Sequence, residues 1–207
     1  MTIKNHQRKY ERIIGLLFII ATLTYSTGSN GITLILTTST YINTNLILYA
    51  LLETVNSVAV ILIGFLFYQL LQGLQKPLLK GYLITRLLEG FFLLIGTIFT
   101  LVSAQSASIN SLLYHDTFFN IAMLILGIYS TFFFFKLSQI FLGLRWLMLL
   151  GVIGYICLIV YAILALIPNV NASMMLFIPG GLFEIILPLV LIFKGLGKNS
   201  SQLHINN

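Results

Sequence analysis

The chain has 207 residues, a net charge of +6, 58% hydrophobic side chains and only 8% charged ones. This balance excludes a soluble fold, and the scatter of positive charge over short segments, none long enough for a soluble domain, excludes nucleic-acid binding. Six long apolar stretches instead predict one all-α, polytopic membrane domain, since ~20 apolar residues in a helix cross the ~30 Å hydrocarbon layer. Alternating ten-residue segments, the mark of a membrane barrel, are absent.

Taken in chain order, a basic lead-in with Lys4, Arg8, Lys9 and Arg12 precedes a first span over 13–35, and Glu11 is expected to pair with those neighbours. The run Thr27-Gly28-Ser29-Asn30-Gly31 predicts an interruption, because Gly and Asn end helices readily. The second piece is therefore expected at the outer surface, followed by a polar run to residue 45. A basic start with small residues at Ser26 and Gly28 also resembles a cleavable leader, but the apolar run that resumes afterwards favours retention. The second span, 46–71, carries Glu53, with Asn56 and Ser57 on the same helix face. Lys76 and Lys80 precede the third, 81–104, which contains Arg86 and Glu89. The fourth, 111–135, begins with His115 and Asp116.

The connector 136–145 places Leu137, Ile140, Phe141 and Leu144 at helical spacing, which predicts a short amphipathic helix in the inner interface. Trp146 then opens the fifth span, 146–167, which holds Cys157, the only cysteine and therefore no intrachain disulfide partner. The sixth, 174–193, contains Pro179, Gly180, Gly181, Glu184 and Pro188, and Lys194 and Lys198 follow it. All eleven Lys and Arg residues fall on one side of this arrangement. Because cytoplasmic loops keep basic residues, both termini are expected in the cytoplasm.

Glu53, Glu89, Asp116 and Glu184 all lie inside predicted spans, where an ionised carboxylate costs ~2.5–3.5 kcal/mol. Such groups face the bundle interior, find partners or take up protons. At ~1.5 Å per residue, Arg86 lies about 8 Å deep from the cytoplasmic end, Glu89 about 12 Å and Glu184 about 15 Å. These three are expected to meet, with Arg86 and Glu89 paired on one helix face and spans three and six as neighbours. Pro188 lacks the N–H that the Glu184 carbonyl needs, and Pro179 does the same for Met175, so the last span reads as a broken helix. Glu53, His115 and Asp116 belong near the outer surface. They could form a small outward-facing metal or proton site, but one histidine and two carboxylates from two spans are a sparse set, and ordinary interfacial polarity is the expected reading.

Of three histidines, His6 and His204 are in the tails, so a bis-histidine haem site has no ligands within the spans. No nucleophile elbow, P-loop or dinucleotide fingerprint occurs, and no catalytic residue or cofactor is expected.

The segments RKYERIIGLLFIIAT, NLILYALLETVNSVAVILIGFLFYQLL, GYLITRLLEGFFLLIG, LRWLMLLGVIGY and IPGGLFEIILPLVLIFKG together resemble the bacterial membrane family called domain of unknown function 4386. The family's glutamate in span two corresponds to Glu53, its Arg-x-x-Glu to Arg86 and Glu89, and its Arg-Trp to Arg145 and Trp146. Its closing residues correspond to Pro179, Glu184, Lys194 and Gly195. One departure is Tyr68-Gln69, where family members often carry Tyr-Pro. The resemblance implies a helical bundle in a bacterial cytoplasmic membrane, and no activity. The expected function is binding or transport of a small molecule or cation at Glu184, Glu89, Arg86 and Glu53, with His115, Asp116 and Asn56 as outer candidates. The alternatives are a non-catalytic accessory, immunity or stress factor and, more weakly, a lipid-acting intramembrane enzyme. Lipids, such a ligand and further copies of the chain are the expected partners.

Overall fold

The computed structural model describes residues 2–38, 44–105, 111–170 and 172–197. Residues 39–43 of the expected outer polar run, the connector 106–110, Lys198 and His204 lie outside them. Six helices long and apolar enough to cross a membrane follow one another: α1 (Thr2–Thr38), α2 (Thr44–Leu70), α3 (Lys76–Gln105), α4 (Ser111–Ile140), α5 (Arg145–Leu166) and α6 (Ile178–Phe193). No strand occurs among the described residues.

Each helix packs on the next in sequence and α6 returns to α1, so the six close into a ring. Short connectors make neighbours antiparallel, and the basic segments gather at one end. There Arg8 donates to the carbonyls of Leu191, Ile192 and Phe193, the unpaired end of α6, at 3.2, 3.1 and 3.1 Å. Glu11 binds Arg8 at 2.9 Å and accepts from the Leu196 N–H at 3.0 Å, which joins α1 to the residues after α6. Gly195, at φ +77, makes that turn where another residue would be strained.

One aromatic side chain or more from every helix closes the ring on its basic half. Phe18 meets Phe67, Phe67 meets Tyr82, Tyr82 stacks on Phe133 at 4.0 Å, and Phe134 meets both Tyr155 and Phe183. The outside is apolar, with Leu23, Phe65, Phe91, Ile153 and Ile185 exposed, as lipid contact requires. Trp146, 58% exposed at the basic end, stands where interfacial tryptophans belong.

Two expectations of local structure are corrected. α1 is one uninterrupted helix through 27–31. Its glycines serve close packing instead: a methyl at Gly28 would lie 2.9 Å from the Glu53 side chain and the Tyr49 carbonyl, and Gly31 lies under the Tyr49 ring. Between membrane helices, lost side-chain volume is repaid by contact, so glycine does not end the helix. The connector 136–145 is not an interfacial helix. α4 continues to Ile140, a 3₁₀ turn spans Leu142–Leu144, and Leu137, Phe141 and Leu144 are buried in the core. Their helical spacing therefore reflects the inner face of α4 and its turn.

At the α5–α6 contact two glycine backbones meet directly. A methyl on Gly154 would lie 2.6 Å from Gly180 Cα and 2.8 Å from its nitrogen. Gly154→Val is expected to lower thermal stability in detergent by about 1–3 kcal/mol, the usual penalty of overpacking. Gly143→Ala, where an added methyl meets nothing within 4 Å, is expected to unfold at the wild-type temperature.

Candidate functional site

The closed ring leaves a cavity of about 360 Å³ above the aromatic layer. Its floor carries the charges. Arg86 is 2% exposed and Glu89 3%, and Arg86 Nη1 meets Glu89 Oε2 at 2.9 Å within one turn of α3. Arg86 Nε donates to the Tyr82 hydroxyl at 2.9 Å, one turn earlier on the same face. Its guanidinium carbon stands 5.5 Å from the Phe18 ring and 5.2 Å from that of Tyr82, within reach of a cation–π attraction. The expected pairing of Arg86 with Glu89 is thus found, and the arginine points inward instead of toward the head groups.

Glu184 lines the same cavity but makes no ion pair or hydrogen bond with either residue. The expected contact between spans three and six is corrected: α6 packs on α1 and α5, and α3 faces it across the ring. Equal depth along the membrane places residues in one layer, but the order of helices around the ring sets the distance within that layer. Pro188 is inside α6 and leaves the Glu184 carbonyl without an N–H, as expected. Pro179, however, is in the first turn of α6, where no donor is needed, so it starts the helix instead of breaking it.

Two further polar groups at the cavity lack partners among the described residues: Arg86 Nη2 and the hydroxyl of Tyr155, a residue 3% exposed. A buried donor without a partner costs roughly 1–3 kcal/mol, more when charged. The remaining wall is apolar and aromatic, including Leu126, Leu158, Phe119 and Phe177. Ser26 on α1 and Gly181 on α6 both line the cavity and are exposed residues of the two helices that close the ring.

On the side away from the basic end, Tyr25 of α1 stacks on Phe119 of α4 at 5.1 Å and covers the cavity. Beyond that stack lies the outer cluster. Glu53 Oε1 is 2.8 Å from His115 Nε2, and Thr97 donates to Glu53 Oε2 at 2.8 Å. Asp116 Oδ1 is 3.3 Å from His115 Nδ1, with the Asp116 side chain 58% exposed. Both imidazole nitrogens are thus occupied by carboxylates, and among the described residues no group of His, Cys, Asp and Glu is placed to hold a metal ion. Asn56 lines both the main cavity and a void of about 10 Å³ beside Glu53 and His115.

These segments are the ones that a family profile recognises, over residues 13–195. The chain belongs to the DUF4386 family, a domain of unknown function. No curated protein and no solved structure matches the chain. The family assignment agrees with the resemblance carried by Glu53, Arg86, Glu89 and Glu184, and it brings no activity with it.

Tyr82, Thr97 and Tyr155 were not singled out from the sequence. Tyr82 had a signal, since it is four residues before Arg86 and so shares its face. Thr97 and Tyr155 are polar groups in apolar spans, but only their partners or lack of them distinguish them from the many hydroxyls there.

The two glutamates of the cavity have opposite energetic situations. Glu89→Gln leaves a buried guanidinium uncompensated and is expected to cost about 3–5 kcal/mol of stability in detergent. Replacing Arg86 and Glu89 together with Met is expected to recover most of that loss. Glu184→Gln breaks no pair and is expected to leave the unfolding temperature near wild type.

Proposed function

We propose that this chain is a ligand-binding protein of the bacterial cytoplasmic membrane, which takes up a small amphiphilic molecule in the cavity inside its helix ring. The supporting observation is hydrogen-bonding capacity left unused within an apolar pocket. Among the described residues Glu184 forms no hydrogen bond or ion pair, and Arg86 Nη2 and the Tyr155 hydroxyl lack partners. A purely structural bundle gains nothing from such groups, because an apolar replacement would remove their desolvation cost. Small-molecule sites have this composition: a mostly apolar concave wall with a few convergent polar groups. In this reading the ligand arrives through the lipid and enters between α1 and α6, where the lining residues Ser26 and Gly181 are exposed. Transport would follow if that ligand left by another route, and the six-helix ring supports binding more directly than passage.

The Arg86–Glu89 pair takes the supporting role in this reading. It fixes a neutral, polar floor, and Glu184 is the group that answers to the ligand. In the proposed orientation both termini face the cytoplasm, since Arg8, Lys9, Arg12, Lys76, Lys80, Lys136, Arg145 and Lys194 all belong to the basic end.

Thermal-shift screening of the purified protein against amphiphilic amines, amides and alcohols tests the site. A stabilising ligand is expected, and Ala21→Phe, which fills the α1 wall, is expected to abolish its effect. A ligand response that survives Ala21→Phe unchanged would place binding elsewhere. For orientation, a C-terminal fusion to a reporter that is active only in the cytoplasm is expected to be active. An active periplasmic reporter at the same position would reverse the topology.

A further inference from the structure

We infer that the cavity selects organic monocations: an apolar, largely aromatic-compatible body with one cationic head seated against Glu184. This rests on the cavity being a ligand site, and goes on to assign the sign of the ligand's charge. The argument begins with charge balance. Arg86 and Glu89 neutralise each other directly at 2.9 Å. Among the described residues, Glu184 is then the carboxylate of the wall that makes no direct ion pair, and it lies on the helix that faces α3 across the ring. With Glu184 ionised, Arg86, Glu89 and Glu184 together carry a net charge of −1, a state that a bound cation stabilises and a bound anion opposes.

The lining narrows the class further. Inorganic divalent cations such as calcium need about six or more oxygen ligands at close range. The α6 side of the cavity is instead lined by Phe177, Phe183, Gly180, Gly181 and Leu176, and Tyr155 and Phe18 also line it. Aromatic faces attract weakly hydrated organic cations and leave their apolar parts in contact with carbon. The donors Arg86 Nη2 and Tyr155 OH fit a neutral acceptor on the same head, such as a hydroxyl or ether oxygen. A cationic amphiphile entering between α1 and α6 meets Glu184 directly, because that residue lies one turn from the exposed Gly181.

Two ions of matched shape and opposite charge, tetraphenylphosphonium and tetraphenylborate, separate charge selection from hydrophobic uptake. With wild-type protein in a neutral detergent, tetraphenylphosphonium is expected to raise the unfolding temperature in a saturable way, and tetraphenylborate is not. In Glu184→Gln the affinity for tetraphenylphosphonium is expected to fall about tenfold or more, as loss of the attraction between opposite charges in an apolar cavity implies. In Ala21→Phe binding is expected to disappear. Equal binding of the two ions, a preference for the borate, or undiminished binding by Glu184→Gln overturns the cation assignment. If such binding is still lost in Ala21→Phe, the cavity remains a ligand site with a different preference. If neither ion nor any neutral amphiphile binds, both the site and its charge preference are rejected. The comparison on wild-type protein decides the matter even if Glu184→Gln does not fold.

Discussion

A guanidinium placed inside an apolar ring governs much of this structure. Arg86 is buried among six helices and needs its charge balanced and its N–H groups used. Glu89, one turn away, supplies the carboxylate, and Tyr82 supplies an acceptor on the other side. Phe18 from α1 covers a further face, so the residue ties α1 to α3. Gly64 on α2 makes this possible, since a methyl there would lie 2.7 Å from Arg86 Cβ. The pair is close to self-sufficient, and Glu184 lines the same cavity without a direct ion pair to it.

The ring has the geometry of a container because its two closures are at different levels. Rings from all six helices fill the basic half, and the Tyr25–Phe119 stack covers the other side. Between them the lining side chains leave about 360 Å³ unfilled. Small residues at the seams, such as Gly154 against Gly180, bring backbones together around the wall while the centre stays open. The clasp of Arg8 and Glu11 on the end of α6 then locks the first helix to the last. Its contacts are to backbone groups that a helix end leaves free, so it stabilises closure without using the interior.

The outer cluster is a separate polar unit with a different character. Glu53, His115, Asp116 and Thr97 satisfy one another within hydrogen-bond range. Three helices contribute, which makes the cluster a junction for α2, α3 and α4 at the level above the Tyr25–Phe119 stack. Asn56 lies between it and the cavity, so the two polar regions are adjacent but divided by aromatic surface.

Fold class, the number of spans and the identity of the charged residues were legible in the sequence, because each follows from a local or one-dimensional property. Twenty apolar residues require a helix in lipid, and a carboxylate within them is conspicuous wherever it points. The pairing of Arg86 with Glu89 was legible for the same reason: three residues along a helix is a fixed distance. Whether Gly28 and Gly31 end a helix or admit a neighbour, and whether Leu137, Phe141 and Leu144 face lipid or core, depended on what packs against them. The position of Glu184 depended on it most. Sequence counting gives depth along the membrane normal, and only the order of helices around the ring decides which groups of equal depth touch. That order placed α6 between α5 and α1, and so separated Glu184 from the arginine at its own level.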